Sequence, residues 1–219
     1  MNELELKELW KTANEKLEES FIINRKNAED ITRIKVYNFL SSMKPIKIFA
    51  LLVGILWVSI GATVLGRIYL NTFSEANKFF LFSATIQILL TAIALFVYIY
   101  QLIKIYQVNS DESILKTQGK LVQLRISTLW STRILFLQLP VWTTFWWNET
   151  MLTDWNLFQW IITIVITITF TYVSMWLFFN IKYENRNKKW FQLIFSGKEW
   201  IPLMKSMELL EQVEDYKVK

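Results

Sequence analysis

The 219-residue chain contains neither cysteine nor histidine. Without cysteine it forms no disulfide and supplies no thiolate, and without histidine it lacks the commonest general base and zinc ligand. Its five glycines and three prolines build neither a phosphate-binding loop nor a dinucleotide fingerprint. These absences predict a protein that is not an enzyme and that uses no cofactor or metal.

Charge is also scarce in four long stretches. Residues 48–66, 79–103 and 155–181 contain no Asp, Glu, Lys or Arg, and residues 126–147 contain only Arg133. At about 1.5 Å per residue, each stretch is long enough, as a helix, to cross a hydrocarbon layer of about 30 Å. We therefore predict an all-α fold: a four-helix transmembrane bundle over residues 46–181. Cytoplasmic regions with amphipathic helices flank it, over residues 1–45 and 182–219.

The third stretch is the least regular of the four. A span that started after Arg133 would be too short, so the helix is predicted to begin near residue 126 and to carry Arg133 in its first turns. The favoured interpretation is that this guanidinium reaches lipid phosphate. The alternative is an ion or substrate site facing the bundle interior. Pro140 predicts a kink, because proline lacks a backbone donor and clashes with the preceding turn.

The cations predict the orientation of the spans. Of the 24 Lys and Arg residues, 21 lie in residues 1–47, 104–125 and 182–219, whereas residues 67–78 contain two and residues 148–154 none. The positive-inside rule then places both termini in the cytoplasm, which requires an even number of spans. Ser41, Ser42 and Pro45 predict an interruption of helix just before the first span.

The first residues of the chain form a short apolar stripe. Leu6, Trp10, Ala13 and Leu17 recur at steps of four, three and four residues, which places them on one face of a helix. One interpretation is a helix packed on the protein's own cytoplasmic parts, and the other is a docking surface for a second protein. Three surfaces are candidates for packing against this stripe: the C-terminal helix, the bilayer surface and a partner protein.

The last residues show two further patterns. Lys188, Lys189 and Trp190 combine charge and an aromatic ring as a helix on an anionic lipid surface does, which predicts contact with lipid headgroups. After Pro202, which suits the first turn of a helix, Leu203, Met207 and Leu210 form a second apolar stripe. This stripe is a second candidate for partner docking.

Three segments carry a resemblance to known proteins. They are ELKELWK at residues 5–11, LVQLRISTLWSTR at residues 121–133, and the tail with GKEW at 197–200 and MELLEQVEDY at 207–216. In these segments and their order, the chain resembles four-span bacterial inner-membrane proteins commonly encoded beside ECF-type sigma factors. The resemblance implies an inner-membrane location and a role as partner of a regulator. The chain lacks the Cys/His pattern of zinc-binding anti-sigma domains.

The favoured function is that of a non-enzymatic inner-membrane protein that anchors or regulates a cytoplasmic partner through its terminal helices. The alternative is a subunit of a small oligomeric channel or transporter. The predicted partners are membrane lipids, a cytoplasmic regulatory protein and further copies of the chain. The net charge of +5 is modest and scattered, as in a positive-inside membrane protein, so no nucleic acid is predicted.

Overall fold

The computed structural model describes residues 3–109, 112–197 and 200–218, and every regular element within them is helical. The predicted all-α fold is confirmed. In chain order the α-helices are α1 (Glu3–Asn71), α2 (Lys78–Tyr106), α3 (Ile114–Phe136), α4 (Leu139–Thr144), α5 (Thr150–Asp154), α6 (Leu157–Asn180), α7 (Lys189–Ile194) and α8 (Ile201–Val218). A 3-10 turn, Tyr183–Asn185, lies between α6 and α7.

Three of these helices, α1, α2 and α6, are long and apolar enough to cross a membrane. Most of their large apolar side chains point away from the protein: Phe96 is 72% exposed and Leu157 is 77% exposed. A soluble domain rarely leaves so continuous an apolar surface in water. The three helices therefore agree with a membrane protein.

Helix α1 runs without a break for 69 residues, from Glu3 through the first apolar stretch to Asn71. The predicted interruption at Ser41, Ser42 and Pro45 is wrong. Proline removes one backbone hydrogen bond, but the two turns that flank Pro45 are packed: Met43 and Lys47 are both fully buried. Tertiary contacts on both sides of Pro45 thus outweigh the loss of one bond.

Two glycines bring α1 close to α2. A Cβ atom added to Gly54 would overlap the side chain of Leu95, and one added to Gly61 would overlap Ile88. The two glycines are seven residues apart, so they lie on one face of α1. The absence of two side chains therefore permits the close approach of the helices.

Buried apolar side chains form two clusters at opposite ends of the bundle. The larger cluster, here called the main core, combines residues from α1, α2, α3, α7 and α8 with the end of α6; it includes Val36, Leu40, Ile105, Leu121, Leu124, Ile181, Phe191, Leu203 and Leu210. The smaller cluster, here called the small core, contains Leu65, Leu81 and Ala84, with Phe145 packed against it. Along α2, Leu81 and Ile105 are roughly 36 Å apart.

The predicted third helix, over residues 126–147, is instead two helices. Helix α3 ends at Phe136, α4 begins at Leu139, and the chain passes between them through two tight turns. Pro140 is the second residue of α4. The interruption is sharper than a kink because proline here coincides with the start of a new helix, where its missing N–H costs least.

The break leaves one backbone carbonyl for a side chain to satisfy. In an unbroken helix the N–H of residue 140 would bond the carbonyl of Phe136, but proline has no N–H. The fully buried hydroxyl of Ser174, on α6, donates to the Phe136 oxygen at 2.9 Å instead. A buried carbonyl without a donor is costly, so this bond compensates for Pro140 and fixes α6 against the break.

Replacing Ser174 with alanine tests this compensation. We expect Ser174→Ala to lower the free energy of unfolding by about 1–3 kcal/mol, because the Phe136 carbonyl is left buried without a donor. In a Pro140→Ala background the loss should shrink, since residue 140 then supplies its own N–H. Unfolding in detergent of the parent, the two single variants and the double variant measures the coupling between residues 174 and 140.

A matched control is Thr171→Ala, which removes a hydroxyl that bonds the carbonyl of Thr167 within its own helix at 2.7 Å. This variant should unfold almost as the parent does. Equal losses for Ser174→Ala in the proline and alanine backgrounds would contradict the compensation.

Candidate functional site

The N-terminal stripe lies on an exposed part of α1. Trp10 is 72% exposed and Leu17 is 55% exposed, and Ala13 is exposed as well, while the side chain of Leu6 lies outside those that the structure describes. The apolar face continues beyond the predicted stripe, because Phe21 is 69% exposed. Residues 3–31 of α1, here called the arm, therefore carry an uncovered apolar face.

The C-terminal stripe has the opposite environment. Leu203, Met207 and Leu210 are buried in the main core, which α1 enters through Val36, Leu40 and Met43. The second apolar stripe of the tail thus packs on the protein's own first helix, well beyond the arm. Its three residues do not cover Trp10, Ala13 and Leu17, and they are not exposed for a partner.

Arg133 caps helix α6. Its Nε donates to the carbonyl of Ile181 at 2.7 Å, a second guanidinium nitrogen donates to the same oxygen, and the guanidinium lies 5.2 Å from the ring centre of Trp130. Ile181 is the C-cap residue of α6, where carbonyls lack helical donors and a cation is favourable. The Arg133 guanidinium therefore satisfies a backbone carbonyl of the protein itself.

The residues predicted to contact headgroups in the tail lie at the start of α7. Lys188 and Lys189 are exposed, and Trp190 is half-buried with its ring 4.9 Å from that of Trp176 and 5.6 Å from that of Phe191. The lysines are therefore accessible, whereas much of the Trp190 ring packs inside the protein. Contact of these residues with lipid stays a prediction.

A buried polar cluster between α1 and α2 was missed by the sequence analysis. Lys47 is fully buried; its Nζ donates to Gln101 Oε1 at 2.6 Å and lies 4.4 Å from the ring centre of Tyr98. A buried ammonium is costly unless acceptors surround it. In the sequence, Lys47 only marks the edge of an apolar run, and nothing there indicates that it points inward.

A basic pocket was also missed. Arg125, Arg133, Lys182 and Glu184 contribute to a cavity of about 300 Å³ where α3 meets the end of α6. The Arg125 guanidinium lies 3.9 Å from the ring centre of Tyr183, and that of Arg186 lies 4.4 Å from it. Three cations and one carboxylate give the pocket an excess of positive charge, which suits an anionic ligand.

Gln101 provides a test of the buried lysine. Gln101→Leu removes an acceptor from a buried ammonium, so we expect the free energy of unfolding to fall by about 1.5–3 kcal/mol. Gln101→Glu keeps an oxygen near Lys47 and adds opposite charge, so this variant should retain most of the stability. Thermal unfolding of both variants in detergent measures the difference. A Gln101→Leu protein as stable as the parent would show that the bond contributes nothing.

Comparisons of the chain with protein-family models, with curated proteins and with solved structures found no match. The resemblance to membrane proteins encoded beside ECF-type sigma factors therefore stays a prediction. Two features of the described residues bear on function: the exposed apolar face of the arm and the basic pocket between α3 and α6.

Proposed function

We propose that the protein is a non-enzymatic, four-span inner-membrane protein whose arm binds a second protein in the cytoplasm. The exposed apolar face of the arm carries this proposal. Residues 7–28 are all exposed, and among them Trp10, Phe21 and Ile22 are each more than two-thirds exposed. Burying such side chains against a partner stabilises a complex, and tryptophan in particular is enriched among the residues that dominate binding.

The architecture of α1 connects the arm to the membrane. The same helix contains the arm, the segment packed in the main core and the first apolar stretch. The arm is about 43 Å long at 1.5 Å per residue. Because no break separates its parts, a protein held on the arm is held at a defined distance and direction from the first span.

A protein partner fits the arm better than a lipid surface does. Lysines and glutamates are mixed along it, and Glu3, Glu5 and Glu8 would be repelled by anionic lipid. Short-range ion pairs, Arg25–Glu29 at 3.7 Å and Arg33–Asp30 at 3.7 Å, use some of this charge to support the helix itself. The mixed charge then favours an interface with an apolar centre and a polar rim.

The two clusters support an even number of spans. Val36 near the start and Leu203 near the end belong to the main core, so the two terminal regions meet at one end of the bundle. Between them the chain follows the main core through Leu129, with Phe136 and Leu139 still packed against it, and reaches the small core at Phe145, at the end of α4. This passage supports a third crossing made of two helices, with α1, α2 and α6 as the others.

The alternative function, a channel or transporter subunit, draws support from the broken third crossing. Gln138, at the break, donates to the Thr91 hydroxyl at 3.0 Å, and Ser83 and Thr144 share a hydrogen bond of 3.0 Å. Interrupted helices and polar groups inside a bundle are typical of transport sites. These four side chains bond each other, however, so they also serve simply to join α2 to the third crossing. Solute-selective flux through liposomes would favour transport.

Reporter fusions test the topology. Reporters placed after Gly119 and at the C-terminus should both be active on the cytoplasmic side, and a tag after Asn148 should be accessible from outside, because an even number of crossings returns the chain to its starting side. An external C-terminus would mean that α3 and α4 together do not cross.

Two substitutions on the apolar face test the arm. We expect Trp10→Asp with Leu17→Asp to leave the protein inserted but to weaken partner binding at least about tenfold, since losing one dominant aromatic contact costs about 2 kcal/mol or more. Affinity purification from native membranes, followed by quantitative mass spectrometry, measures the protein that co-purifies.

The matched control is Thr12→Asp with Lys16→Gln, which lowers the net charge of the arm by the same amount on its polar side. This variant should keep the partner. Equal loss of the partner in both double variants would point to charge rather than the apolar face, and unchanged binding in both would exclude the arm as the docking surface.

A further inference from the structure

We propose that the protein binds one anionic phospholipid, with the phosphate in the basic pocket and an acyl chain in an apolar groove beside it. The groove has a volume of about 450 Å³ and lies between α2 and α3, and its walls include Phe96 and Val97. Ile126 and Trp130 line both the pocket and the groove. The site goes beyond the proposed binding of a protein by the arm and rests only on the membrane location of these helices.

The cations of the pocket are available to a ligand. Within the part of the chain that the structure describes, no carboxylate lies within ion-pair distance of Arg125, Arg133 or Lys182. Glu184 lines the pocket as well, but its side chain is exposed. An unbalanced excess of cations beside an apolar surface is the arrangement that binds lipid headgroups between helices.

The two guanidinium groups are held in place before any ligand arrives. Arg133 is fixed by the Ile181 carbonyl, and Arg125 is fixed by stacking on Tyr183 and by a 3.9 Å contact between its terminal nitrogen and the Met207 sulfur. Stacking uses the face of a guanidinium and leaves its N–H edge free. A planar row of donors matches the oxygens of a phosphate, and donors that are already ordered cost less entropy on binding.

The position of the site along the helices favours a lipid. Tyr100, on α2, donates from its hydroxyl to Gln123 Oε1 at 3.3 Å, so Arg125 lies near the level of Tyr100. Tyr100 belongs to the uncharged run that ends before Lys104. Arg125 therefore lies just inside the end of the apolar layer, where a headgroup phosphate reaches it and the acyl chain continues along Phe96 and Trp130.

Native mass spectrometry of the full-length protein in detergent tests the proposal. With phosphatidylglycerol added, the parent should carry one bound lipid, and with phosphatidylcholine it should carry much less. Arg125→Gln with Lys182→Gln should reduce the bound phosphatidylglycerol at least about tenfold, as expected when charge-assisted hydrogen bonds are lost. The matched control, Lys16→Gln with Lys26→Gln, removes two exposed cations of the arm, outside the pocket and the groove, and should bind as the parent does.

Two further measurements separate a lipid from a soluble phosphate and guard against misfolding. Ile126→Trp places a larger side chain in the wall that the groove shares with the pocket, and it should reduce lipid binding while all the cations remain. If the Arg125→Gln and Lys182→Gln protein fails to fold, this variant still tests the site. Inorganic phosphate in large excess should not displace the lipid.

Unchanged lipid binding in the folded double variant, or in Ile126→Trp, would overturn the site. Displacement by inorganic phosphate would show that it takes a soluble anion instead. The Trp10→Asp and Leu17→Asp variant should keep its lipid, so failure of the arm and failure of the lipid site give different results.

Discussion

The carbonyl oxygen of Phe136 lies inside a helical bundle, at a point where the helix that should satisfy it stops. A backbone acceptor in such apolar surroundings needs a donor, because leaving it unbonded costs free energy comparable to a lost hydrogen bond. Ser174 supplies the proton, and in doing so it determines which face of α6 meets the break. The same requirement recurs at Ile181, where the helix ends and the Arg133 guanidinium bonds a carbonyl that has no donor within the helix. The side chains of Ser174 and Arg133 thus supply the donors that are missing at the break after α3 and at the end of α6.

The main core gives the two ends of the chain a common structure. Val36 and Leu40 from α1 meet Leu203 and Leu210 from α8, and Leu121 and Leu124 from α3 complete the contact. A single helix cannot bury its own apolar face, so each of these segments depends on the others to cover it. The arm extends from this cluster without a break, so the cluster is the rigid base from which the arm projects.

The lysines and arginines near the main core have different environments, although nothing in the sequence distinguishes them. Lys47 is buried with Gln101, Arg133 caps α6, and Arg125 stacks on Tyr183, whereas Lys188 and Lys189 face outward. Charges close to an apolar layer are costly unless each has acceptors, an aromatic face or water. The arginines in the basic pocket combine fixed orientation with free donors, which is why the pocket rather than the exposed lysines is the proposed phosphate site.

The sequence by itself determined the helical class, the long apolar runs and the unequal charge on their two sides, because length, hydropathy and cation counts are properties of single segments. It also predicted a kink at Pro140, where the structure has a full break between α3 and α4, and placed Pro202 in the first turn of a helix, which is α8. Only the tertiary structure decided that α1 passes through Pro45, that Leu203, Met207 and Leu210 are covered while Trp10 and Leu17 are not, and that Lys47 points inward. These outcomes depend on which surfaces meet, and a residue's partners across helices lie far from it in the chain. The pocket of Arg125, Arg133 and Lys182 has the same origin, since its residues come together only when the end of α6 packs against α3.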